Sequence, residues 1–223
     1  MRKTELAKRI DHTLLGPTAS RAEVARCCEE ARKYGFASVA LNPCHAALAR
    51  ELLKESAVKV CVTIGFPHGM TTSDAKAFEA QKAIADGADE LDMVVNVAAL
   101  KERDYAAVLS DIRAVSAAAG KAPRPVLVKV ILETALLTDE EKVAGAILAK
   151  AGGAQFVKTS TGYGPSGATA ADVALLRRTV GEGMGVKASG GIRDYATAVA
   201  MIEAGANRIG SSRSLAILEG ASE

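Results

Sequence analysis

Short runs of β-branched and aliphatic residues alternate with helical stretches along the whole chain. Each run has the length and composition of a buried strand, bounded by turn residues. Eight strands that alternate with helices fit either a closed (β/α)8 barrel or an open doubly wound sheet. The predicted strands are Ile10–Leu14, Phe36–Leu41, Val58–Ile64, Glu90–Val95, Val126–Leu132, Gln155–Thr159, Gly185–Ala188 and Asn207–Gly210.

Several helical stretches carry start and stop signals. Ser20 with Glu23, and Thr138 with Glu141, fit the capping box, in which two side chains satisfy free backbone N–H groups at a helix start. Glycine accepts the left-handed conformation in which many helices end. Five glycines fit such helix ends: Gly35, Gly87, Gly120, Gly152 and Gly205.

A weak internal repeat distinguishes the two architectures. Glycine followed by a strand start recurs every two βα units, and no G-x-G-x-x-G motif follows the first strand. Both features favour the closed barrel, so we predict a single (β/α)8 (TIM) barrel domain over residues 1–223. The repeated segments are Gly35–Ala37, Gly87–Asp89, Gly153–Gln155 and Gly205–Asn207.

Charged residues interrupt five of the apolar strands. Because the flanking apolar residues should face the helices, the charged side chains should face the barrel axis. Isolated buried charges are costly, so such groups must pair, shift their pKa or take part in chemistry. The five are Asp11, Asp92, Lys129, Lys158 and Lys187.

Two interpretations of this cluster are open: an ion network that only fills the barrel, or an active site. Two lysines in one pocket of low dielectric constant disfavour each other's ammonium form, and a neutral amine attacks carbonyl groups. Active sites of this fold lie at the carboxyl ends of the strands, where these residues should converge. We therefore favour the active site.

Glycine-rich loops follow the last three predicted strands, at Gly162–Gly164, Ser189–Gly191 and Gly210–Ser212. Any one of them could be a simple turn. Glycines let backbone N–H groups approach an anion closely, and barrels often bind phosphate after strands seven and eight. Together the loops predict a phosphate site.

Composition excludes several other classes of protein. The 223 residues include 28 Lys and Arg against 26 Asp and Glu, without a basic patch for nucleic acid or a membrane surface. The four cysteines form neither a C-x-x-C pair nor a zinc spacing, so neither a disulfide framework nor a metal site is predicted. No signal peptide or membrane span is recognisable, and we expect a cytoplasmic protein.

Several motifs resemble deoxyribose-phosphate aldolase, over nearly the whole chain and in the right order. The most specific are Lys158–Gly162 (KTSTG) and Val186–Arg193 (VKASGGIR). Gly87–Asp92, Ile10–Leu15 and Val128–Thr134 resemble the same family.

The resemblance implies a Schiff-base aldolase that reversibly cleaves 2-deoxy-D-ribose 5-phosphate to D-glyceraldehyde 3-phosphate and acetaldehyde, without a metal or organic cofactor. It implies that Lys158 forms the Schiff base, that Lys187 lowers its pKa and shares in proton transfer, and that Asp92 relays protons with a water molecule. Its partners would be these small molecules and further copies of the chain, in a dimer or larger homo-oligomer. The phosphate positions would be Gly162, Gly190, Gly191, Gly210 and Ser212.

The sequence also departs from the family pattern. Tyr163 stands where some members have a phosphate-binding lysine, and Arg213 either replaces that charge or faces solvent. The terminal tyrosine of some members is missing, which would leave proton transfer to Asp92, Lys187 and water. Thr13 and Asn42 are candidates for substrate contact, whereas His12, His45 and His68 are expected to have no catalytic role.

Three alternatives remain at this point. The chain could be another lysine-dependent aldolase with a different sugar phosphate, a barrel that only binds phosphorylated ligands, or a pyridoxal-phosphate protein. Hydride trapping, a substrate panel and the absorbance spectrum would distinguish them.

Overall fold

In the computed structural model, which describes residues 1–223, eight parallel strands form a closed barrel in chain order. This confirms the predicted fold, and the strand boundaries differ from the prediction by no more than two residues. The strands are β1 (Ile10–Leu14), β2 (Ser38–Leu41), β3 (Lys59–Ile64), β4 (Glu90–Val94), β5 (Leu127–Ile131), β6 (Phe156–Lys158), β7 (Gly185–Ser189) and β8 (Arg208–Ser211).

Helices surround the barrel, and none is both long and apolar enough to cross a membrane. Short 3-10 turns occur at Pro43–His45 and Thr134–Leu136. The helices are α1 (Lys3–Ala7), α2 (Arg21–Tyr34), α3 (Ala46–Leu52), α4 (Ser73–Ala85), α5 (Val97–Lys101), α6 (Tyr105–Gly120), α7 (Asp139–Ala151), α8 (Ala170–Val180), α9 (Tyr195–Glu203) and α10 (Ser214–Glu219).

The predicted helix starts are confirmed, and the predicted helix ends are only partly right. Both capping boxes form, at the starts of α2 and α7, and Gly35 ends α2 with φ +68°. Helix α6 ends at Gly120 and α7 is followed by Gly152, as predicted, but neither glycine has the left-handed backbone expected for it; φ at Gly152 is −79°. A Cβ atom at Gly152 would lie 2.4 Å from Ile112 Cγ2, so glycine is needed there for close helix packing.

Strand register brings the charged residues together. Outward residues such as Val130 and Val157 belong to one continuous apolar core between strands and helices. Inward positions alternate with them, as the pleat of a strand requires. In the ladder, Asp92 lies opposite Lys129, and Lys158 lies opposite Lys187. The charged side chains therefore enter the barrel as neighbours.

A second buried ion pair joins two helices outside the barrel. Lys76 of α4 is fully buried and forms a salt bridge with Asp111 of α6. Its Nζ also donates to the backbone oxygen of Val94 at the end of β4, at 2.9 Å. Because both charges have left water, each depends on the other.

We predict that Asp111→Ala lowers the free energy of unfolding by about 3–5 kcal/mol, because the Lys76 ammonium stays buried without its carboxylate. Glu51→Ala is the matched control, since it removes an exposed partner of Lys54 and should change stability little. Urea unfolding of both variants measures this difference. Equal losses of stability in the two variants would show that the buried Lys76–Asp111 pair matters no more than an exposed pair.

Candidate active site

Asp92 lies at the centre of a buried cluster inside the barrel. Its Oδ1 accepts a hydrogen bond from Lys129 Nζ at 2.8 Å. Its Oδ2 accepts from Lys158 Nζ at 2.8 Å and from Lys187 Nζ at 2.7 Å. All four side chains are buried. The structure thus brings together the residues that the sequence predicted to converge on the barrel axis.

A further layer of charge lies below Asp92, towards the amino ends of the strands. Asp11 Oδ2 is 2.5 Å from Lys187 Nζ, and Glu90 Oε2 is 2.6 Å from Lys129 Nζ. Arg208 Nε donates to Asp11 Oδ1 at 2.7 Å, and its Nη2 donates to Glu90 Oε2 at 3.0 Å. We call the seven ionisable residues the barrel charge network: Asp11, Glu90, Asp92, Lys129, Lys158, Lys187 and Arg208.

Sequence reasoning missed Glu90 and Arg208, although strand parity could have found them. Glu90 precedes Asp92 by two residues and therefore faces the same side of β4. Cys61 of β3 was also missed. Its thiol lies 3.2 Å from Asp92 Oδ1, and burial raises its pKa to about 12, so it remains a neutral donor.

The three lysines of the network differ in the direction of their pKa shifts. Burial lowers the pKa of Lys158; Asp92 opposes this effect, and Lys187 adds to it. Burial alone would also lower the pKa of Lys187, but Asp11 and Asp92 outweigh it, so this pKa is raised. Burial would lower the pKa of Lys129 as well, but its acidic neighbours, of which Asp92 has the largest effect, together outweigh burial and raise it. Lys158 is the network's candidate for a neutral amine.

From the sequence, Lys187 was expected to be the main cause of the lowered pKa of Lys158. In the structure, burial is the largest cause of the lowered pKa, and Lys187 contributes less. The structure also shows why Asp92 remains a carboxylate. Burial would raise its pKa, but the three surrounding lysines hold the pKa well below its usual range.

A cavity of about 330 Å³ opens at the carboxyl ends of the strands. Lys158 lines it, whereas the other six residues of the network lie outside its lining. A small molecule in this cavity would therefore meet Lys158 with the rest of the network behind it. All five predicted phosphate positions also line the cavity: Gly162, Gly190, Gly191, Gly210 and Ser212.

Two glycines of this cavity wall allow close approach of neighbouring groups. Gly190 has φ +86°, and a Cβ atom there would lie 2.9 Å from Gly167 Cα, where the loops after β6 and β7 touch. A Cβ atom at Gly210 would lie 3.1 Å from Lys187 Cε. Gly210 thus also leaves room for the second lysine, a function that its predicted phosphate contact did not include.

The loop after β6 is held by a buried carboxylate that the sequence analysis did not single out. Glu133 has a left-handed backbone, φ +57°, which is uncommon for a residue other than glycine. Its Oε2 accepts hydrogen bonds from the backbone N–H of Thr161, at 3.2 Å, and from the Thr161 hydroxyl. Thr161 lines the cavity, so Glu133 orders its wall.

The two residues that depart from the family pattern lie in different places. Tyr163 lines the cavity, and its hydroxyl donates to the backbone oxygen of Leu15 at 2.8 Å. Arg213 lines a separate neighbouring cavity of about 560 Å³. The arginine that lines the Lys158 cavity is Arg193, in the VKASGGIR segment.

The remaining candidate residues, two for substrate contact and three histidines, also differ in whether they line the cavity. Thr13 lines the cavity, whereas Asn42 does not and instead donates to Leu15 O. His12 is buried between Glu30 and Ser214, at 2.8 and 2.9 Å, and burial lowers its pKa against the effect of Glu30. Neither His45 nor His68 lines the cavity. No three His, Cys, Asp or Glu side chains are grouped as a metal site.

Comparison with known proteins agrees with this geometry. The sequence model of the DeoC/LacD family aldolases matches residues 6–220. The chain is 57% identical to deoxyribose-phosphate aldolase 1 of Bacillus licheniformis over 217 residues, covering 97% of this chain and 96% of that protein. It is 56% identical to deoxyribose-phosphate aldolase of Clostridium perfringens, covering 99% and 97%.

The fold is also that of a solved relative. A tetrameric deoxyribose phosphate aldolase from Aeropyrum pernix superposes with a TM-score of 0.89 at 37% identity, covering 97% of this chain and 91% of that one. These matches span nearly the whole barrel and confirm the resemblance seen in the motifs. The chain belongs to the DeoC/LacD family of aldolases.

Proposed function

We propose that this aldolase reversibly cleaves 2-deoxy-D-ribose 5-phosphate to D-glyceraldehyde 3-phosphate and acetaldehyde, with Lys158 as the Schiff-base nucleophile. One observation carries the proposal: Lys158 alone of the charge network lines the cavity, and its pKa is lowered. The names of the two bacterial relatives support the substrate.

The reaction follows from a neutral amine beside a carbonyl. The Lys158 nitrogen adds to C1 of the open-chain sugar, and loss of water gives an iminium. A base then takes the proton of the 3-hydroxyl, C3 becomes an aldehyde, and the C2–C3 electron pair moves towards the iminium nitrogen. The product is an enamine on Lys158, which is protonated at C2 and hydrolysed to acetaldehyde and free lysine.

The network behind Lys158 supplies the proton transfers in this proposal. Asp92 Oδ2 contacts the amines of Lys158 and Lys187. A proton can therefore move between the two lysines through hydrogen bonds that already exist. Because the pKa of Lys187 is raised, this residue is an ammonium that can donate a proton through Asp92 and take it back in a later step.

The phosphate end of the substrate would lie against the glycine loops. Gly162, Gly190 and Gly191 all have positive φ and line the cavity, so backbone N–H groups can approach an anion without a Cβ between them. Arg193 lines the same cavity and supplies the charge that Tyr163 lacks.

We also expect a homo-oligomer, as in the tetrameric Aeropyrum pernix aldolase. Cys27, Cys28 and Cys61 are buried free thiols. They suit the reducing cytoplasm that we propose as the location.

We predict that Lys158→Ala abolishes both turnover and the ethyl adduct formed with acetaldehyde and borohydride, because the nucleophile is gone. Lys187→Leu should raise the pKa of Lys158 by about one unit, since a neighbouring positive charge is removed. That variant should label slowly at neutral pH and faster as the pH rises. Mass spectrometry with peptide mapping measures this. An adduct on Lys187, or full labelling of Lys187→Leu at neutral pH, would contradict the assignment.

We predict that Arg193→Ala raises KM for 2-deoxyribose 5-phosphate but leaves KM for unphosphorylated 2-deoxyribose nearly unchanged. KM for the phosphorylated substrate should rise about tenfold or more, as expected for the loss of one charge-assisted hydrogen bond to an anion. Arg213→Ala is the matched control, because Arg213 lies outside the cavity. Steady-state kinetics with both substrates tests this. Equal effects of the two variants would place the phosphate elsewhere.

A further inference from the structure

Arg208 lies at the amino end of β8 and does not line the cavity, which opens at the carboxyl ends of the strands. It is the first residue of β8, and only 14% of its side chain is exposed. Its guanidinium holds two carboxylates at once, Asp11 of β1 and Glu90 of β4. In the ladder it lies opposite Lys187 of β7.

We propose that Arg208 is a positioning residue for the aldol reaction, which holds Asp11 and Glu90 so that the amines of Lys187 and Lys129 stay on Asp92 behind Lys158. The inference rests on the function proposed for Lys158. It assigns a part in that function to a residue that lines no part of the cavity.

The hydrogen bonds show how Arg208 acts through its neighbours. Asp11 is divided between two cations: Oδ1 accepts from Arg208, and Oδ2 faces Lys187 at 2.5 Å. Glu90 Oε2 is likewise shared between Arg208 and Lys129. Without Arg208, both carboxylates would have only the lysines as partners, and each lysine would be drawn away from Asp92.

Charge balance links Arg208 to Lys158 by a separate route. The network contains four basic and three acidic side chains, so it is electrically neutral when Lys158 is uncharged. Removal of Arg208 leaves one carboxylate uncompensated. In a buried network, protonation of Lys158 would restore neutrality.

Substitutions that change the charge of this network in opposite directions should therefore shift the pKa of Lys158 in opposite directions. Arg208→Met adds a net negative charge, whereas Glu90→Gln removes one. A unit charge about 10 Å away, at an effective dielectric constant of about 20, shifts a pKa by about one unit. Neither variant substitutes the other titratable residues in or beside the network around Lys158: Asp92 of β4, Lys129 of β5, Lys187 of β7, Asp11 of β1 and Cys61 of β3.

The test measures the rate at which Lys158 becomes labelled by acetaldehyde, quenched with borohydride and mapped by mass spectrometry, across a pH series. Arg208→Met should move the profile to higher pH by about one unit and slow labelling at neutral pH about tenfold. Glu90→Gln should move it to lower pH, and the double variant should return it towards the wild-type profile. Arg178→Met is the matched control: Arg178 is exposed, so water should screen its loss.

Circular dichroism checks that each variant is folded. If Arg208→Met is unstable, Glu90→Gln still tests the proposal, because glutamine has nearly the size of glutamate. A purely structural role for Arg208 would lower labelling without moving the pH profile. Unshifted profiles, or shifts in the same direction for Arg208→Met and Glu90→Gln, would overturn the inference while wild-type Lys158 is still labelled. Absence of label on wild-type Lys158 would instead overturn the proposed function.

Discussion

The hydrogen bonds that converge on the Asp92 carboxylate are the interaction on which the site depends. Three lysine side chains from three strands contact its two oxygens, inside a barrel from which bulk water is excluded. Transfer of a single charge into such an interior is strongly unfavourable. The cluster is therefore stable only as a set, and each strand must place its residue in register with the next. The closed barrel provides that register.

This arrangement has a cost in stability that the rest of the fold must offset. Buried ion pairs seldom stabilise a protein more than well-packed apolar residues of similar volume. Here the large apolar core lies outside the barrel, between strands and helices, and the barrel interior holds the charge network. Because the core does not pass through the active site, the interior residues can be selected for chemistry. Gly210 illustrates this division, since it packs nothing and leaves space for Lys187.

Strand parity made most of this predictable from the sequence. A lysine or aspartate inside an apolar run must face the axis, and so the positions of Asp92, Lys158 and Lys187 follow from local pattern alone. Glu90 and Arg208 stand at strand ends, where a charge is ordinary; parity places them on the inward side, but only the structure shows their contacts with Asp11, Lys129 and each other. Glu133 could not be predicted, because its function depends on a backbone conformation and on a loop that comes later in the chain. At Gly152 the helix end was predictable, but the reason for a glycine was not, because its contact with Ile112 is tertiary.

The opposing effects on Lys158 suit successive steps of the proposed reaction. Burial disfavours the ammonium and so maintains the nucleophile, but it equally disfavours the cationic iminium. Asp92, at 2.8 Å, stabilises that cation and lets it form. When the C2–C3 bond breaks, the iminium becomes a neutral enamine, and the low dielectric surroundings favour this loss of charge. Too negative a network would hold Lys158 protonated or make the iminium too stable to react; too positive a network would prevent the iminium from forming. Near-neutrality with an uncharged Lys158 lies between these limits, which is why distant members of the network can matter to chemistry they do not touch.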